Sequence, residues 1–212
     1  YLNEDLRDTY YDQAVLVSKS LAGIMKTLMI KRLESSFFAF RNTLKNLLTS
    51  TERMIEMFNN NKVLIAPDLN INELIEKGFS MEDIENMIIE LNTENPKNNI
   101  FASDDFEPEF LDNLIKDKKL LQELFNEWEQ IKEDPKLDTL FAEIDNELFN
   151  KDINPTGQLI IFTESNDTAN YLAEKLEDYK GKGILKISSK NRKKIFETIQ
   201  KNFDANYIGK RE

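Results

Sequence analysis

The chain has 212 residues, with 28 Lys or Arg against 39 Asp or Glu, for a formal net charge of −11. It holds no His and no Cys, which removes disulfides, thiol nucleophiles, Ser-His triads, imidazole acid-base chemistry and zinc sites built on His or Cys. No GxxxxGK[ST] or GxGxxG motif is present, and six glycines spread along the chain build no phosphate cradle of the usual kind.

The N-terminus, YLNEDLRDTY, lacks the charged-then-apolar layout of a signal peptide. It starts at Tyr1 rather than Met, and residues 209–212 form a polar run with no terminating logic, so both ends are expected to be cuts in a longer protein. Between 10 and 25, Tyr11, Ala14, Val15, Val17, Leu21 and Ile24 recur loosely at helical spacing up to Gly23. The run Thr27, Leu28, Met29, Ile30 is too short for a period and reads as extended or as a continuation of that helix. From Ser35 the pattern is clear: Phe37, Phe40, Leu44, Leu47, Leu48, Ile55 and Phe58 predict a long helix ending near Asn59, Asn60 and Asn61.

Residues 63–66 are a short apolar run broken by Pro67, followed by helices expected over 71–77 and 81–91, the second capped by Ser80. Residues 92–105, with Pro96 and several Asn and acids, read as a loop. Helical spacing returns with Phe110, Leu111, Leu114, Ile115, Leu121, Leu124, Phe125, Trp128 and Ile131, stops before Pro135, and resumes over 137–148. Phe37, Phe40 and Trp128 are expected in the core. After Asn154, Pro155, Thr156 and Gly157 the texture changes. Leu159, Ile160, Ile161 and Phe162 form a continuous apolar run bounded by turn residues, as in a strand buried on both faces of a parallel sheet. A helix over 167–179, a strand over 184–187 and a last helix opened by Ser188 and Ser189 complete one βαβ unit plus a helix. These 58 residues are too few to close a doubly wound lobe of about 100 to 150 residues.

Charge is unevenly placed. Residues 26–62 carry 7 basic against 3 acidic side chains, 63–154 carry 8 against 24, and 155–212 carry 11 against 8. Two mildly basic segments therefore flank an acidic one, and the overall charge is a poor guide to nucleic-acid affinity. No run approaches the about 18 uncharged apolar residues of a membrane span. A cytoplasmic chain without membrane association is expected.

Three stretches resemble one family. GQLIIFTESNDTANYLAEKLEDY looks like the opening of the C-terminal lobe of superfamily 2 helicases and Swi/Snf-type ATPases, where a buried strand ends in Phe-Thr and a helix follows. ILKISSKNRKKIFETIQKNFD is similar to the next strand and helix of that lobe, and LAGIMKTLMIKRLESSFFAFRNTLKNLL to the segment closing the first lobe in bacterial helicase-like proteins. The resemblance covers roughly residues 20–60 and 157–204. It implies a mainly α chain with an incomplete α/β part, RecA-like and parallel, at its C-terminal end. The end of the first lobe would occupy 1–33, an acidic helical insertion 34–154 and the start of the second lobe 155–212. It further implies a DNA helicase or translocase that uses ATP and Mg, most directly on double-stranded DNA. The nucleotide-binding Lys, the Mg-binding acidic pair and the arginine finger have no counterpart here, so this stretch alone is expected to bind neither ATP nor Mg and to be inactive.

Thr163 is the first candidate for a nucleic-acid contact: it follows the 159–162 run, where ligands of open α/β sheets sit, and its family counterpart touches the backbone. The competing account is that Thr163, Ser165, Asn166 and Asp167 turn the chain and cap the helix. Ser188, Ser189, Asn191 and Arg192 are the second candidate group, at a turn before a helix, with capping and a solvated face of Arg192, Lys193 and Lys194 as the alternative. Lys31 and Arg32 are the third, although Glu34 is near enough in sequence to pair with Arg32. Asp104, Asp105, Glu107 and Glu109 lack the spacing around a Gly that a Ca loop requires. The acidic insertion would either exclude DNA from a resting motor or dock a protein partner. The non-motor alternative is a helical interaction module whose acidic face binds a basic protein.

Overall fold

A computed structural model of the chain describes residues 14–181, 183–204 and 206–209, with side chains from Gly23 onward. Residues 10–13 of the first expected helix, and 210–212 of the polar C-terminal run, lie outside the described residues. The described chain is mainly helical. Helix α1 spans Ala14–Ser35 without a break at Gly23, so 27–30 continue the helix rather than extend. Of its described side chains, Ile24, Met25, Leu28 and Ile30 are exposed. Helix α2 follows at Phe37–Asn59. Ser36 separates the two and caps the second, its hydroxyl accepting from the Ala39 N–H at 3.0 Å. The Asn run ends α2 as expected. Asn61 takes a φ of 55°, and the Lys62 N–H reaches back to the Met57 carbonyl at 3.0 Å, the closing bond of a left-handed helix cap that Asn tolerates better than most residues.

Past this cap lie β1 (Val63–Ile65), α3 (Ile71–Glu76), α4 (Met81–Asn92) and β2 (Asn99–Phe101). Ser80 caps α4 as expected: its hydroxyl accepts from the Asp83 N–H at 3.1 Å while the Ser80 N–H donates to the Asp83 carboxylate at 3.0 Å. The strands pair antiparallel, Val63 opposite Phe101 and Leu64 opposite Ile100. Strand β2 corrects the reading of 92–105 as a plain loop. Asn98 is fully buried there and donates to the Asp68 carboxylate at 2.7 Å, beside a second bond from Asn95 at 2.8 Å. The Asn98 amide oxygen also accepts the Asp68 N–H at 3.3 Å, so a side chain serves a backbone donor just past β1.

The described residues form two compact units. The first contains 14–27 and Thr43–Gln130, the second Leu28–Asn42 and 131–209. The first unit has two apolar clusters. Met57, Leu64, Ala66, Ile84 and Ile88 form one, packed by Leu69, Ile71, Leu74, Ile75 and Ile100. Val63, Phe101 and Phe106 form the other with Met54, Phe58, Ile65 and Phe110, and the Phe106 and Phe110 rings stack at 5.0 Å. Helix α5 (Glu109–Gln130) is tied to α2 by an ion pair between Lys118 and Glu52 at 3.1 Å. Phe40 is buried, whereas Phe37 and Trp128 are half-buried.

The second unit holds α6 (Pro135–Glu143), a π-helical turn Ile144–Leu148, α7 (Asn166–Lys180) and α8 (Phe196–Phe203). Pro135 opens α6 and Asp134 caps it, accepting from the Leu137 N–H at 3.1 Å. The same carboxylate takes the Tyr171 hydroxyl at 2.9 Å, and the Tyr171 ring stacks on Phe38 at 4.9 Å. Burial, first, and then Asp134 push the Tyr171 phenol up to about 12. The runs 159–162 and 184–187, expected as buried parallel strands, form no ladder among the described residues. A both-faces-buried strand needs a hydrogen-bonded neighbour on each side, and the run alone supplies none. Phe162 is 89% exposed and Ile160 55%. The last helix starts at Phe196 rather than at 188, since 189–195 are turns. Among the described residues no helix is long and apolar enough to cross a membrane.

Two outcomes follow for the first unit. Ile88→Ala empties a fully buried site and is expected to cost about 2–5 kcal/mol in urea denaturation. The amide bonds from Asn98 and then Asn95 hold the Asp68 carboxyl below its usual value of 3.8. Its stabilisation is therefore present above that value and lost as pH falls through the lowered one. Stability measured from neutral pH downward is expected to fall less steeply in Asp68→Asn than in the wild type.

Candidate nucleic-acid interface

At the start of α7 the sequence TESNDT places three short hydroxyl side chains and two acids around a helix N-terminus, where unpaired N–H groups need acceptors. Ser165 is the N-cap, accepting from the Thr168 N–H at 3.4 Å. The Thr163 hydroxyl accepts from the Ser165 N–H at 3.2 Å, so Thr163 shapes the turn entering the helix. Asp167 lies in the first helical turn, where its charge complements the dipole.

The end of α1 meets this N-terminus. Arg32 donates to the Ser165 hydroxyl at 2.5 Å and pairs with the Asp167 carboxylate at 3.5 Å. Its acidic partner is thus Asp167, 135 positions away, and not Glu34, the nearer acid in sequence. Ser35 and Ser36 hydrogen-bond to the Thr168 hydroxyl at 2.7 and 3.0 Å, and Ser35 lies 3.5 Å from the Thr163 hydroxyl. Ser36, Ser165 and Thr168 are all buried. Lys31 and Glu164 form a long, exposed pair at 4.0 Å, of the kind worth roughly 0–1 kcal/mol.

Three of the expected contact residues, Lys31, Arg32 and Thr163, therefore come together around one helix N-terminus. The other four do not join them: no hydrogen bond or ion pair among the described residues links Ser188, Ser189, Asn191 or Arg192 to that group. Their turn is closed internally. The Asn191 amide oxygen accepts from the Ser188 N–H at 2.7 Å, and its nitrogen donates to the Lys186 carbonyl at 2.9 Å. Ser189 and Arg192 remain exposed. Lys186 connects this segment to α7 by donating to the Asn170 side chain at 2.7 Å.

No family model, curated protein or solved structure matches the chain. The site is thus read from its own geometry. Thr163 sits at the exposed edge of the cluster, its hydroxyl accepting the Ser165 N–H and lying 3.5 Å from the Ser35 hydroxyl. Arg32 is largely committed to Ser165 and Asp167, so its role in this arrangement is to hold α1 against α7. Among the described residues no group of three His, Cys, Asp or Glu side chains converges, and Asp105 instead caps its own 3₁₀ turn through the Ala102 N–H at 2.8 Å. Sequence inspection missed Ser35, Ser36 and Thr168 as partners. Paired hydroxyls at the joint between two helical patterns were the available signal.

Ser165→Ala removes both the cap of α7 and the Arg32 acceptor. A loss of about 1–2 kcal/mol in thermal or denaturant unfolding is expected, while Ser165→Asp, which restores an acceptor, is expected to retain most of the stability.

Proposed function

We propose that the chain is part of an ATP-driven nucleic-acid motor of the superfamily 2 helicase or Swi/Snf type, containing an acidic helical insertion and the first strand-helix segments of a RecA-like second lobe. The observation that carries this reading is the segment order from 157 onward. An uncharged run without regular structure, with Ile160, Ile161 and Phe162 exposed, precedes α7, and a second irregular run, followed by turns over 189–195, precedes α8. Alternation of this kind is what a parallel sheet requires of its strands and crossover helices, and exposed Ile160, Ile161 and Phe162 are the side chains that neighbouring strands and helices would cover. In this reading the chain carries neither the ATP nor the Mg ligands and is not catalytic by itself. Nucleic acid, most directly duplex DNA, meets the lobe at Thr163 and at the turn containing Ser188, Ser189, Asn191 and Arg192, with Lys31 and Arg32 behind Thr163.

A second reading is a non-enzymatic helical interaction module. The self-contained apolar clusters of the first unit and the excess of 24 acidic over 8 basic residues across 63–154 favour it, with a basic protein as the partner.

The readings separate in the gene product that contains this chain. A motor hydrolyses ATP faster when duplex DNA is added, and Thr163→Val raises the duplex concentration needed for half-maximal stimulation about tenfold, the equivalent of one hydrogen bond to a charged group. No hydrolysis with or without duplex leaves the interaction module as the account.

A further inference from the structure

Positions 180 to 194 carry seven Lys or Arg and no Asp or Glu. The stretch begins at Lys180, the last residue of α7, turns at Gly181, where φ is 78°, has no regular structure over 183–187 and turns again over 189–195 before α8. Lys190, Arg192, Lys193 and Lys194 are exposed, and none of them enters an ion pair among the described residues. The Lys186 ammonium donates to the neutral Asn170 amide and enters no ion pair among the described residues. Lys180 is the exception. Its ammonium lies 2.6 Å from one oxygen of Asp145, and the other oxygen of that carboxylate accepts the Tyr179 hydroxyl. Tyr179 in turn stacks on Phe141, with ring centres 4.1 Å apart and planes within 3°. The π-helical turn after α6 thus holds one acid against the first cation of the series.

We propose that Lys180, Lys186, Lys190, Arg192, Lys193 and Lys194 dock the sugar-phosphate backbone of a nucleic acid, and that Asp145 holds this affinity down by occupying Lys180. The net charge of −11 does not oppose this. At physiological salt, exposed charges more than about 8 Å away are largely screened, so the local cations govern the encounter, whereas a carboxylate in direct contact escapes screening. Spacing and chemistry favour phosphodiesters over a lipid surface. The cations are interleaved with Ser188, Ser189 and Asn191, hydrogen-bonding side chains suited to phosphate oxygens, and Arg192 offers a planar fork for the same atoms. Such a contact reads backbone charge and not base sequence.

The inference rests on the nucleic-acid reading above, but its readout is binding and not turnover. Loss of the motor reading through absent ATP hydrolysis would leave it standing, and absent binding would remove it whatever the turnover. The chain is titrated into a fluorescein-labelled duplex of about 20 base pairs across a salt series starting near 50 mM, with circular dichroism confirming that each variant is folded. Replacing Lys190, Arg192, Lys193 and Lys194 together by Gln is expected to weaken binding at least about tenfold and to flatten the log-log salt slope by about 3. Asp145→Asn is expected to tighten binding about threefold and steepen the slope by about 1. Lys180→Gln should change little in the wild type and abolish the gain in the Asp145→Asn background. No duplex binding by wild type or Asp145→Asn, an unchanged quadruple variant, an unchanged or weaker Asp145→Asn, or binding to phosphatidylserine vesicles in place of duplex overturns the proposal.

Discussion

The second unit depends on how the end of α1 is attached to the start of α7. That attachment is polar: a guanidinium, a carboxylate and four hydroxyls from Ser35, Ser36, Ser165 and Thr168. A helix N-terminus in a buried setting must satisfy its N–H groups, and Ser165 does so while also serving Arg32. Because both demands converge on one oxygen, the segments meet in a single register. Apolar contact between the same surfaces would tolerate sliding; directional bonds do not. Thr163, the exposed member of the cluster, is oriented by this attachment through its bond with the Ser165 N–H.

The first unit is organised by the opposite principle. Its two apolar clusters draw on α2, β1, α3, α4, β2 and α5, and Val63 and Leu64 point into different clusters from adjacent positions of one strand, as the two-residue period requires. Fully burying Ile84 and Ile88 contributes roughly 1.5–3 kcal/mol each. The antiparallel pair is only three residues on each side, and Asn98 and Asp68 supply bonds that its ladder is too short to provide. The acidic residues of this unit sit outside that core, where their mutual repulsion is screened by solvent and salt.

Helices with one apolar stripe were legible from spacing alone. The pattern from Phe37 to Phe58 gives α2 nearly to the residue, because three- and four-residue spacing over six turns has no strand alternative. Ser80 and the Asn run were legible as a start and a stop for the same local reason. What sequence did not carry was pairing. Residues 99–101 are too few for alternation to register, and their Asn-rich surroundings read as loop; only contact with β1 makes them a strand. The 159–162 run shows the converse, since high strand preference is expressed as a ladder only when another backbone is alongside. Arg32 follows the same rule. Its nearest acid in sequence, Glu34, is not its partner, because the α1 terminus faces α7 and Asp167 is what it meets there.

The uncovered 159–162 run sets the colloidal behaviour of this polypeptide. Four consecutive uncharged, strand-favouring residues, with Phe162 almost wholly in water, leave backbone donors and acceptors open beside a sticky apolar strip. That combination is the seed of cross-strand aggregation. No Pro or Lys interrupts it; Pro155 lies four residues before and Glu164 two residues after. Protection falls to the excess of negative charge over the rest of the molecule, which keeps copies apart at low ionic strength and fades as salt shortens its reach. Handling in concentrated salt therefore removes the repulsion and leaves the adhesive strip unopposed.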